Sequence, residues 1–161
     1  MIHDFDMANF IMGEIPRTVS AFGTSIINPD IKEAGDIDTA LVTMQYADGK
    51  LAIIKNSRRA SYGYDQRLEL LGSEGLLQAQ NMLENTIVKS TENGVLGAKP
   101  TYFFLERYMT AFIAEWGAFM NVVIENKTIP VTMDDGVMAL AMAEAAAKSL
   151  SNGALVHLSE I

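Results

Sequence analysis

The sequence contains no cysteine, which excludes disulfides, thiolate nucleophiles and cysteine-ligated zinc. Long hydrophobic runs are missing too. The longest apolar stretches are broken by Glu115 and Asn121, and by Glu144 and Lys148, so none reaches the ~18 residues of a membrane span. Positive charge is scarce: 12 Lys and Arg stand against 20 Asp and Glu, a net charge of −8. A field of that sign repels phosphate backbones and anionic membranes, so neither nucleic acid nor membrane is expected as a partner. The one basic run, Lys55, Arg58, Arg59 and Arg67, reads equally well as an exposed strand with solvated charges. Asp4 and Asp6 stand where a cationic leader would begin, and no apolar segment follows. A cytoplasmic protein is the expectation.

Recognisable chemistry is also sparse. The only histidines, His3 and His157, lie at opposite ends and in no metal-ligand spacing, so no metal is expected. There is no G-x-G-x-x-G, no G-x-x-x-x-G-K-[ST] and no G-x-S-x-G. The chain therefore has no phosphate-cradling loop and no serine nucleophile elbow.

What is present is enough for one domain over residues 1–161. Phe5, Met7, Phe10 and Ile11 space a short helix from His3 to Met12, stopped by Gly13 and Pro16. Arg17–Thr24 reads as a strand, and Asn28-Pro29-Asp30 as a turn. From Asp36 to Ala47 the side chains alternate, with Val42, Met44 and Tyr46 on one side and Leu41, Thr43 and Gln45 on the other. Asp48-Gly49 turns the chain into a return strand, Lys50–Ser57. Further strands are expected at Tyr64–Gly72, Leu76–Gln80 and Glu84–Ser90, giving an antiparallel meander.

Phe103–Asn126 is the longest helical pattern. Leu105, Tyr108, Phe112, Trp116, Phe119 and Val123 make one apolar face, expected to be core. Thr132 and the acidic pair Asp134 and Asp135 start a second, alanine-rich helix that runs to Ser151 and stops at Asn152-Gly153. Ala154–Leu158 closes as a strand. This order implies an α+β fold: a mainly antiparallel open sheet with helices packed on one face. Leu41 beside Val42 and Ile53 beside Ile54 leave both sheet faces apolar. Either a second copy, through sheet-on-sheet oligomerisation, or a preceding portion of polypeptide is expected to cover the outer face.

Two clusters carry polar chemistry. In Met1-Ile2-His3-Asp4-Phe5-Asp6, His3 and Asp6 lie three apart on one helix and share a side. A histidine there can relay a proton and a carboxylate can accept from a hydroxyl. The plainer reading is two acids at the positive end of a helix dipole. The second cluster is NSRRASYGYDQR, residues 56–67. It offers donors, acceptors and two phenols, the chemistry that recognises hydroxylated ligands, or is simply a polar hairpin loop.

The segment IHDFDMANFIMG, the stretch EAGDIDTALVTMQYADGKLAIIKNSRRASYGYDQRLELLGSEGLLQAQN, FFLERYMTAFIAEWGAF and VTMDDG together resemble the Gfo/Idh/MocA oxidoreductases, and within them the inositol 2-dehydrogenases. The resemblance covers essentially the whole chain. It implies the C-terminal domain of a two-domain enzyme whose N-terminal Rossmann domain, absent here, binds NAD(P). The implied reaction moves a hydride from a polyol or sugar carbon to NAD while a base takes the hydroxyl proton. By resemblance His3 is the catalytic histidine, Asp6 and Tyr62 bind substrate hydroxyls, and Tyr64 and Asp65 stand behind them. No cofactor-binding residue is implied on this chain. The family's aspartate four residues before the histidine and its catalytic lysine fall outside these residues. The chain is therefore expected to be an N-terminally truncated substrate-binding and oligomerisation domain, inactive alone. The alternative is a non-catalytic module that binds a polyol or only assembles.

Overall fold

The alternation at residues 41–46 is realised in full: Val42, Met44 and Tyr46 are buried while Leu41, Thr43 and Gln45 face outward. The computed structural model describes residues 1–161. In chain order its elements are α1 (Ile2–Met12), β1 (Thr18–Thr24), α2 (Pro29–Glu33), β2 (Thr39–Gln45), β3 (Leu51–Ser57), β4 (Leu68–Gly72), β5 (Gly75–Ala79), β6 (Val88–Thr91), β7 (Gly94–Gly97), α3 (Phe104–Glu125), α4 (Met133–Asn152) and β8 (Val156–His157), followed by a 3-10 turn, Leu158–Glu160. They form two compact units, Met1–Arg59 with Pro130–Ile161, and Ala60–Ile129. No helix is long and apolar enough to cross a membrane.

The first unit is a four-stranded antiparallel sheet, β3-β2-β1-β8, with α1 and α4 on one face. Register aligns its inner rows, Val19 with Met44, Ala21 with Val42, and Val42 with Ile54. These pack on Phe5 from α1 and on Ala139, Met142, Ala145 and Ala146 from α4. Small residues on α4 let that helix approach the strands closely, and each methylene buried there contributes about 0.8 kcal/mol. Thr132 and Asp135 close a capping box at its start, and Gly153, at φ 66°, ends it. β8 is only two residues long, so the β1 edge runs on past it. Ser149 takes over there. Its buried hydroxyl accepts from the Ala21 amide at 2.9 Å and donates to the Ala154 carbonyl at 2.6 Å.

The outer face of the same sheet carries Phe22, Leu41, Leu51 and Ile53, all exposed. Phe22 stands opposite Leu41 and Ile53 opposite Thr43, so the apolar residues form a patch.

The second unit differs from the expected meander. It contains two separate two-stranded ladders, β4-β5 and β6-β7, with a lone bridge between Leu83 and Pro100. Residues 64–67, expected to begin a strand, precede β4 as irregular chain. In the first unit, Asn28-Pro29-Asp30 opens the short helix α2, because the Asn28 side chain accepts from the Asp30 amide and Pro29 is preset for a first turn. The largest departure concerns α3. It forms as expected, but none of its residues is buried. Phe112, Trp116, Phe119 and Val123 are exposed, so the face expected to be core is surface within this chain. Helical periodicity identifies a face that wants covering; it does not say that the same polypeptide covers it.

Candidate functional site

The first predicted site residues sit at the start of α1. His3 is exposed and Asp6 half-buried, and neither makes a hydrogen bond within the chain. The residue between them that does is Asp4, whose carboxylate accepts from the Asn56 side-chain amide at 3.3 Å. Asn56 belongs to the inner row of the sheet, aligned with Ala40; it is the polar end of an otherwise apolar row. Its other side-chain atom, Oδ1, is buried without a partner in the chain, as is Asn9 Oδ1 on α1. Buried carbonyl oxygens of this kind retain full accepting capacity.

The far end of α1 is fixed as well. Gly13 at φ 69° caps it, and Lys50, from the β2–β3 turn, donates to the Met12 carbonyl at 3.1 Å while pairing with Glu14 at 2.8 Å and Asp48 at 3.1 Å. The helix bearing His3 is thus tied to one hairpin at both ends. A groove of about 600 Å³ opens near that far end, lined in part by Glu14, Arg17, Met138, His157 and Ser159; neither His3 nor Asp6 lines it.

Tyr62 belongs to the second unit. Its hydroxyl donates to Asp65 Oδ2. Asp65 also accepts from Arg67 Nε at 2.7 Å, from Arg67 Nη2 at 2.9 Å and from Asn81 Nδ2 at 2.8 Å. The Arg67 guanidinium, followed by the Tyr62 and Asn81 donors, holds the Asp65 carboxyl far below the usual carboxylate range against the opposing effect of desolvation. Such an acid is a lock, not a general base: both oxygens are taken and it stays ionised. The hydrogen bond to Asp65, ahead of burial, in turn pushes the Tyr62 phenol up. With its proton committed, the Tyr62 oxygen is left as an acceptor for a ligand hydroxyl.

The cluster depends on Gly63. Its φ of 136° is open to glycine, and a Cβ there would lie 2.7 Å from the Pro100 carbonyl oxygen. That approach lets the Tyr64 amide donate to the Thr101 carbonyl at 2.8 Å, while the Tyr64 ring meets Tyr108 edge-on at 5.9 Å. Sequence reasoning missed Asn81 and Asp4. Asn81 is sixteen residues from Asp65, and no local spacing announces it. Nowhere do three or more His, Asp or Glu side chains gather to hold a metal.

Comparison with known proteins bears directly on the class to which this fold belongs. Residues 1–158 match the oxidoreductase family C-terminal alpha/beta domain of the Gfo/Idh/MocA type. The chain belongs to that family. It is 45% identical over 160 residues to the myo-inositol 2-dehydrogenase of Thermotoga maritima, covering 99% of this chain and 48% of that protein. It is 43% identical over 150 residues to the inositol 2-dehydrogenase of Rhizobium meliloti, covering 93% and 46%. The scyllo-inositol dehydrogenase of Lactobacillus casei, solved with bound NAD(H) and scyllo-inositol, superposes with a TM-score of 0.89 at 29% identity, covering 98% and 46%. The chain therefore spans about half the length of the relatives it matches, and it is inositol dehydrogenase-like over that half.

Proposed function

We propose that these 161 residues are the substrate-binding half of an NAD-dependent polyol or sugar dehydrogenase, with an inositol as the favoured substrate. The observation that carries the reading is the helix α1, which presents His3 and Asp6 unpaired while Asp4 and Lys50 anchor its two ends. In this reading the His3 imidazole accepts the proton of the hydroxyl being oxidised. Asp6 accepts a hydrogen bond from another ring hydroxyl. On the second unit, the free lone pairs of Tyr62 are acceptors of the same kind. The nicotinamide, when bound, supplies the hydride acceptor. The residues present do not fit the nucleotide: no glycine-rich turn between strand and helix offers amides to a pyrophosphate. A polypeptide of these residues alone is accordingly expected to give no turnover. A cytoplasmic location goes with the reading.

The exposed patch of Phe22, Leu41, Leu51 and Ile53 supports a second role, sheet-on-sheet pairing with another copy. A non-catalytic assembly module would have this patch and nothing more.

The test joins this chain to the NAD-binding half of the Thermotoga maritima relative and follows NADH formation with myo-inositol. Turnover that falls 10²–10⁴-fold in His3→Ala, the range for loss of a general base, sustains the enzymatic reading. A folded chimera whose turnover is indifferent to His3→Ala refutes it. Sedimentation equilibrium of Ile53→Glu tests the sheet contact.

A further inference from the structure

Tyr62, Asp65 and Arg67 belong to one loop, so the bonds among them travel with it. Asn81, in the irregular chain after β5, grips that loop from outside. Its Oδ1 accepts from the Gln66 amide at 2.8 Å, and its Nδ2 donates to Asp65 Oδ1 at 2.8 Å. A backbone amide needs an acceptor and an ionised carboxylate needs a donor. A carboxamide in this orientation serves both at once. Asn81 thus holds two consecutive residues of the loop from fifteen and sixteen positions away.

Asn81 is itself held. Beside it, the Met82 carbonyl accepts from the Thr101 amide at 2.9 Å, and the Glu84 amide donates to the Lys99 carbonyl at 3.1 Å. The Tyr64 amide donates to the carbonyl of the same Thr101. Segments 62–67, 81–84 and 99–101 therefore form one frame. On it the Tyr62 ring stands half exposed, with its hydroxyl turned onto Asp65 Oδ2. The other oxygen of that carboxylate is the one Asn81 grips, so the phenol oxygen has a fixed place before any ligand arrives.

We propose that Asn81 is a positioning residue: through Asp65 it holds Tyr62 as a ready-placed acceptor, and this subsite selects ligands that carry a hydroxyl proton there. The proposal rests on the reading above, in which the free lone pairs of Tyr62 take a ring hydroxyl. A contact placed in advance is not ordered at the expense of binding. One made equally in the bound substrate and the transition state lowers KM and leaves kcat alone. Asn81 accordingly acts on KM.

In the chimera with the NAD-binding half, Asn81→Ala is expected to raise KM for myo-inositol about 3–10-fold, the range of one neutral hydrogen bond, with kcat unchanged. In a Tyr62→Phe background the same substitution adds nothing, because the hydroxyl it places is gone. Deoxyfluoro-inositols replace one hydroxyl by an acceptor without a proton. The one lacking the hydroxyl that Tyr62 accepts from loses a similar factor with the parent chain and none with Tyr62→Phe. Gln78→Ala, which removes a bond to Glu69 on the neighbouring β4–β5 ladder, leaves KM as it was. Asn81→Asp keeps an acceptor for Gln66 but sets a carboxylate against Asp65; it raises KM likewise and serves if Asn81→Ala does not fold. An unchanged KM in both variants, a fall in kcat in its place, or a rise that persists in the Tyr62→Phe background overturns the proposal. A chimera without turnover counts against the proposed function alone, and the positioning is then read without substrate. Backbone amide relaxation by NMR is expected to show fast motion at residues 62–66 in Asn81→Ala that the parent chain lacks, and unchanged order there overturns it.

Discussion

Asn56, on the inner row of β3, donates its side-chain amide to the Asp4 carboxylate on α1 at 3.3 Å. This contact joins residues 52 apart in sequence and ties the first turn of α1 to the sheet. It fixes His3 and Asp6 in space without engaging either of them.

The consequence is an unequal cost for neighbouring acids. Asp4→Ala is expected to lower stability by about 1 kcal/mol, the net value of one such hydrogen bond. Asp6→Ala, which breaks no bond within the chain, is expected to change it by less than about 0.5 kcal/mol. Urea unfolding of the two variants decides the matter; equal midpoints would mean that Asp4 does not anchor the helix.

Ser149 lies 128 residues from Ala21 and is buried, yet it serves the Ala21 amide and the Ala154 carbonyl at once. Ser149→Ala strands both groups away from water. The expected loss is about 1–3 kcal/mol for a buried group left unpaired, read from the denaturant midpoint. Retention of wild-type stability would show that water reaches the end of β8.

Gly63→Ala meets both obstacles at once, a positive φ and a carbonyl oxygen 2.7 Å from the new Cβ. Strain of about 1–3 kcal/mol is expected, and it falls on the loop that presents Tyr62. Hydrogen exchange at the Tyr64 amide, which donates to Thr101, is expected to accelerate while exchange across β1–β3 is unchanged. Slow exchange at Tyr64 in the variant would show that the segment 100–101 moves aside freely.

The Asp65 carboxyl is depressed in the folded state, first by Arg67. A depressed acid adds stability that is fully present above its unfolded pKa, about 3.9, and is lost as pH falls toward the folded value. Asp65→Asn is therefore expected to be less stable than the wild type from pH 7 down to about pH 4 by a constant amount. Below about pH 4 the gap should narrow. Urea unfolding across this range is the measurement, and a gap that widens on acidification would reverse the sign of the argument.

Local chemistry made much of this fold legible. Gly13 and Gly153 mark helix ends because they adopt left-handed backbone at little cost. Asp48-Gly49 marks the β2–β3 turn, and period-2 burial at Val42, Met44 and Tyr46 assigns the inner face of the sheet. Thr132 announces α4 through a capping box that joins residues three apart. The site was legible in part. His3, Asp6 and Tyr62 came forward through resemblance, whereas the bonds that set their surroundings, Asp4 to Asn56 and Asp65 to Asn81, join residues too distant for any periodicity to reveal.

The sequence by itself determined where most helices and strands form, which faces are apolar, and that these residues hold no thiol and no glycine-rich phosphate loop. Those properties follow from neighbours within a few residues. Only the tertiary structure decided which apolar faces are buried within the chain. The inner face of β1–β3 closes on α1 and α4, while Phe22 and Ile53 on the outer face, and Phe112 and Trp116 on α3, stay in water. Burial in a core and burial in an interface draw on the same transfer of apolar surface from water, so the residue pattern is identical in both. What separates them is the presence of a partner element within reach, and only three-dimensional packing supplies or withholds it.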